Sequence, residues 1–149
     1  MKLSRWNCLA LIVIPLACHE EKVTTPLRDP TGLYLLALVG GQLPPVTIRA
    51  TPGDTTTVVF SVMTLTPPGT ASVSDRIRLV HTGTPPTIFD QNYSYSYRII
   101  GDSIAFEHSP PCGPAQLCIT PPGASIVGEQ LLLTFGDRPP FLYAHPVLN

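Results

Sequence analysis

The side chains of this 149-residue chain that could do chemistry are few, and most are spaced wrongly for it. A metal site built from near neighbours needs ligands on one face, as in His-x-x-x-His. His19, His81, His108 and His145 never approach such a spacing. Glu107 and His108 are adjacent, so in a strand their side chains leave opposite faces. Ser103, in Gly101-Asp102-Ser103, would become a nucleophile only with a base from a distant Asp-x-x-His, and the chain contains none. Gly-x-Ser-x-Gly, a phosphate-cradling glycine loop and a dense carboxylate cluster are also missing. The expectation is a protein that is not an enzyme, with no catalytic residue, no metal and no cofactor. Spacing leaves open a site assembled in three dimensions from His81, His108 and His145.

Cys18 belongs to a different signal. Residues 1–18, MKLSRWNCLALIVIPLAC, run from Lys2 and Arg5 through apolar Leu9 to Ile14 and close on Ala17 before the cysteine. That is the charged, apolar, small-residue order of a secretory signal peptide. The apolar run is about nine residues long, against the ~20 a spanning helix needs. Leu16-Ala17-Cys18 resembles the end of a bacterial lipobox, with Pro15 where that motif has Leu. The resemblance implies cleavage before Cys18 and a lipid on its sulfur, hence an exported lipoprotein anchored to a membrane of the bacterial cell envelope, on the periplasmic or surface side. Cleavage at an ordinary signal-peptidase site is the alternative. Residues 1–17 then form the signal peptide, 18–30 the lipidated cysteine and a polar flexible tether, and 31–149 a single domain. Cys8 falls in the removed peptide. In an exported chain Cys112 and Cys118 are expected to form a disulfide, worth about 2 kcal/mol for so short a loop. Their five-residue separation is unlike the two-residue spacing of redox pairs and metal ligands.

The elements that must position these groups are strands. Proline makes up 18 of the 149 residues, more than double the usual ~5%, and helix interiors tolerate it poorly. The formal net charge is −1 with no basic cluster, so nucleic acid is not an expected partner. Six Pro-Pro pairs, at 44–45, 67–68, 85–86, 110–111, 121–122 and 139–140, punctuate Val-, Ile-, Thr-, Tyr- and Phe-rich segments, and such pairs mark connections. Strands are expected at 33–39, in a return through Leu43 toward Ile48 after a Gly40-Gly41 turn, at 55–65, at 72–82 with Ile77 and Leu79 opposite in sense to Arg76 and Arg78, and at 129–135 and 141–145. Residues 93–108, YSYSYRIIGDSIAFEH, predict a hairpin about Gly101-Asp102. Its register pairs Ile100 with Ser103, Ile99 with Ile104, Tyr97 with Phe106 and Tyr95 with His108, so bulky residues meet on one face.

About eight antiparallel strands in sequence leave two raw edges unless the sheet closes. A small up-and-down barrel is therefore expected, with a β-sandwich as the alternative. GLYLLALVGGQLP at 32–44 looks like the Gly-x-aromatic first strand of lipocalin-like (calycin-type) barrels, in particular of small bacterial lipoproteins. YSYRIIGDSIAFEH and VGEQLLLTFGDRPPFLYAH resemble their later hairpins. The resemblance implies a barrel over about residues 31–145. Aromatic residues along one strand face can bind a small apolar ligand inside a barrel, and the expected lining is Tyr93, Tyr95, Tyr97, Phe106 and Leu133. The other reading is that these side chains fill the core and that the protein is a structural or interaction module of the envelope, its protein partner unnamed.

Overall fold

The computed structural model describes residues 29–111, 113 and 120–146. Among them the protein is all-β, with nine strands: β1 (Gly32–Val39), β2 (Val46–Ala50), β3 (Asp54–Thr66), β4 (Thr70–His81), β5 (Thr87–Ile100), β6 (Ser103–His108), β7 (Gly123–Val127), β8 (Gln130–Thr134) and β9 (Phe141–Ala144). Each of β3 to β9 pairs antiparallel with the next, β9 pairs with β1, and β1 closes on β3. Eight strands thus form a closed up-and-down barrel, and β2 is an extra strand on β3. This is the architecture expected of a calycin-like barrel, and all six Pro-Pro pairs fall in the connections.

The hairpin of β5 and β6 has the expected register, Ile100 on Ser103 through Tyr95 on His108. Gly101 turns it with φ +60°, which a side chain would resist. Three expectations are corrected. The chain does not return along β1 after Gly40-Gly41. Val39 and Gln42 close a tight turn, but the segment then runs on in the same sense as β1, so β1 covers the second half of β3 and β2 the first. Pro44 and Pro45 have no N–H with which a returning leg could ladder. Secondly, β7 is a strand beyond those expected. It pairs with β6 and β8, and its Gly-Ala-Ser start gives almost no hydrophobic alternation. Thirdly, β5 begins at Thr87 rather than 93, and its first four residues are exposed, so the apolar-in signal is missing there.

Alternation fills the interior. Ala71, Val73, Asp75 and Ile77 of β4 point inward, with Met63 and Leu65 of β3, Ile104 and Phe106 of β6, Leu131 and Leu133 of β8, and Phe141 and Tyr143 of β9. Burying each large side chain stabilises the fold by about 1.5–3 kcal/mol. The ring of Tyr34 lies 4.0 Å from that of His145, and its hydroxyl donates to the Pro30 carbonyl at 2.7 Å. A Cβ on Gly32 would come within 3.0 Å of the same imidazole, which accounts for the Gly-x-Tyr opening. The described chain therefore enters and leaves at one rim, beside the β3–β4, β5–β6 and β7–β8 turns. At the other rim β2, β3, β4 and β5 project past the shorter β6–β9 wall and leave a concave face open: the mouth.

Candidate functional site

Tyr93, Tyr95 and Tyr97 do share the inner face of β5. Ring centroids lie 5.6 Å apart for Tyr95 and Phe106, 6.4 Å for Tyr97 and Phe106, 6.4 Å for Tyr93 and Tyr95, and 5.6 Å for Tyr95 and His108. Tyr95, Phe106 and Leu133 are buried, while Tyr93 and Tyr97 are half-buried. Tyr93, Tyr95 and Leu133 border a cavity of about 30 Å³, far below the ~300 Å³ of a small-molecule site. Tyr97 and Phe106 do not border it. Burial pushes the phenol of Tyr95 up to about 12 and raises those of Tyr93 and Tyr97, so all three remain neutral donors at ordinary pH.

At the floor of that cavity is a polar chain that sequence reasoning missed. Asp75, 5% exposed, accepts from Ser61 Oγ at 2.5 Å, and Ser61 Oγ lies 2.7 Å from Tyr143 Oη. Ser61 has one proton, committed to the carboxylate, so Tyr143 donates to Ser61 and the bonds run tyrosine to serine to aspartate. Desolvation raises the Asp75 pKa, against the Ser61 hydrogen bond and the charge of Arg138; burial also pushes Tyr143 well up. Asp75 could have been found from its place in the Ala71-Val73-Asp75-Ile77 alternation. Ser61 could not, because a bulge between Val58 and Phe60 shifts the phase of β3.

Arg138, in the β8–β9 connection, forms the lid of this layer. Its guanidinium sits 5.6 Å from the Phe135 ring centroid, and its side chain is 25% exposed. Above it the mouth opens into a cleft of about 410 Å³ with an apolar floor of Ile48, Ile77, Leu79 and Phe89, and with Arg49, Thr56, Gln91, Asp137 and Arg138 on its walls. Phe89 is 42% exposed. Neither β2 nor the early part of β5 carries a site signal in the sequence, and they supply Ile48, Arg49, Phe89 and Gln91.

The three described histidines have separate neighbours. His81 Nδ1 meets Asp54 Oδ1 at 2.5 Å, His108 lies beside Tyr95, and His145 donates from Nδ1 to the Leu33 carbonyl at 3.0 Å. No group of three or more potential metal ligands occurs among the described residues. Ser103 is the first residue of β6, and the Asp102 carbonyl accepts from Ile126 N at 2.7 Å, so Gly101-Asp102-Ser103 serves as a turn. Cys18, Cys112 and Cys118 lie outside the described residues. Comparison with protein-family models, with curated proteins and with solved structures finds no match.

Proposed function

We propose that the protein is a non-enzymatic binding module of the bacterial envelope, exported and carried on a lipid at Cys18, that works through the cleft at the barrel mouth rather than through the barrel interior. The observation that carries this reading is the contrast between about 30 Å³ of space beside Tyr95 and Leu133 and about 410 Å³ above Ile77 and Leu79. Small-molecule sites usually need ~300 Å³ or more. An apolar ligand beside Tyr95, Tyr97, Phe106 and Leu133 would have to displace packed rings, whereas the cleft needs no rearrangement.

A fragment screen followed by amide NMR tests the reading. Hits should shift residues 48–49, 77–79, 89–91 and 137–138. Shifts centred on Tyr95, Phe106 and Leu133, with a lipid retained in native mass spectrometry, would instead establish the interior-ligand alternative. The anchor rests on Leu16-Ala17-Cys18 and has its own test. Cys18→Ala should move the protein from the membrane to the soluble fraction, and a variant that stays with the membrane refutes the lipid. Non-reducing peptide mapping should join Cys112 to Cys118; free thiols at both positions would remove that bond.

A further inference from the structure

Which molecules would such a cleft prefer? The charges around it decide. Asp75 lies beneath Arg138, buried and already held by Ser61. Asp54 is paired with His81 and does not line the cleft, and Asp90 is bound by Arg76 through two hydrogen bonds of 2.8 and 3.1 Å on the outer face. Asp137 lines it, but its side chain is 86% exposed and its carboxylate stands 3.9 Å from Arg138 Nε, too far for a hydrogen bond. Arg49 has no ion pair among the described residues. The walls thus carry two guanidinium groups, Arg49 from β2 and Arg138 from the β8–β9 connection, against one solvent-exposed carboxylate, and of the two it is Arg49 that has no ion pair among the described residues. The same cleft is lined by apolar Ile77, Leu79 and Phe89, of which Phe89 is open to solvent.

We propose that the cleft binds a small amphipathic carboxylate, its head held by Arg49 and Arg138 and its apolar body laid over Ile77, Leu79 and Phe89. This rests on the mouth-binding reading above and adds the sign of the ligand's charge. A guanidinium meets a carboxylate with two parallel N–H donors, which a neutral hydroxyl head cannot use. Arg138 is already packed on Phe135, so little of its freedom is lost on binding. The volume, about 410 Å³, falls within the ~300–1,000 Å³ usual for small-molecule sites, which suits a ligand the size of decanoate.

The test titrates decanoate, decanol and decylamine, each below its micelle concentration, into the full-length Cys18→Ala protein and follows amide shifts. Decanoate should shift residues 48–49, 77–79 and 89–91, bind about tenfold more tightly than decanol, and weaken as salt is added. Arg49→Ala should weaken decanoate about tenfold without changing decanol. Arg138→Gln, which keeps much of the packing on Phe135, should do the same, and Arg98→Ala on the outer face should change neither. Equal affinity for decanoate and decanol, or an Arg49→Ala variant with undiminished decanoate binding, overturns the charge preference while leaving the mouth as a binding site. Failure of every amphiphile and every fragment to shift the cleft overturns both.

Discussion

Asp75 ties the chemistry of the interior to the stability of the fold. Burial raises its pKa more than Ser61 and Arg138 lower it. The folded state therefore holds this proton to higher pH than the unfolded chain does, and the stability that follows is fully present below the ordinary aspartate range and lost as pH rises through the raised value. A tenfold difference in proton affinity between the folded and unfolded chain corresponds to about 1.4 kcal/mol. Urea midpoints should accordingly fall as pH is raised from about 4, and Asp75→Asn, which is neutral throughout, should flatten that slope. An unchanged slope in the variant would assign the pH dependence to other groups. Tyr143→Phe removes the donor to Ser61 without changing ring packing and should cost about 1–3 kcal/mol in the same measurement. At this scale the sequence was partly readable. The inward tyrosines followed from strict alternation in β5, while Ser61 was hidden by a bulge and Arg138 by its place in a connection, where no periodicity exists to interpret.

Strands and turns were readable to different degrees for equally physical reasons. The β5–β6 hairpin was the most predictable element because turn chemistry and side-chain alternation each demanded the same register. β7 gave neither signal: its inward residues are Ala124 and Ile126, and only its place between β6 and β8 makes it a strand. The β3–β4 turn offers a sharp test of a glycine. Gly69 has φ +145°, and a Cβ there would stand 2.6 Å from the Tyr97 carbonyl oxygen, whose own amide donates to the Gly69 carbonyl at 2.7 Å. Gly69→Ala must push the turn away from β5 and should cost about 2–3 kcal/mol in thermal or urea unfolding. Gly53→Ala meets nothing within 4 Å and should stay within about 0.5 kcal/mol of the parent. Similar losses at both positions would show that the contact with Tyr97 is not what requires glycine at 69.

The whole molecule is a sheet whose first and last strands meet, Leu35 opposite Ala144 and Val39 opposite Phe141. That closure could be anticipated, since a meander of this length must either close or leave two edges exposed. What could not be anticipated is that one strand position is shared, with β1 beside one half of β3 and β2 beside the other. β1 has a neighbour on each side, whereas among the described residues β2 pairs with β3 alone. Native-state hydrogen exchange should therefore find the β2 amides opening locally, well below the global unfolding free energy, with those of β1, β3 and β9 opening only globally. Equal protection in β1 and β2 would mean that the mouth is as rigid as the barrel.

The placement of both described chain ends at one rim also decides which rim a membrane link would join. With Cys18 acylated as proposed, the twelve residues 19–30 could span at most about 40 Å at ~3.4 Å per residue, and the link would reach the barrel at the rim of Pro30 and His145. The cleft of Arg49, Phe89 and Arg138 opens toward the opposite rim. Whenever the attachment rim faces the bilayer, the cleft is turned away from it. Its ligand would then arrive through the aqueous phase as a monomer, so supply would be limited by solubility in water rather than by abundance in the membrane.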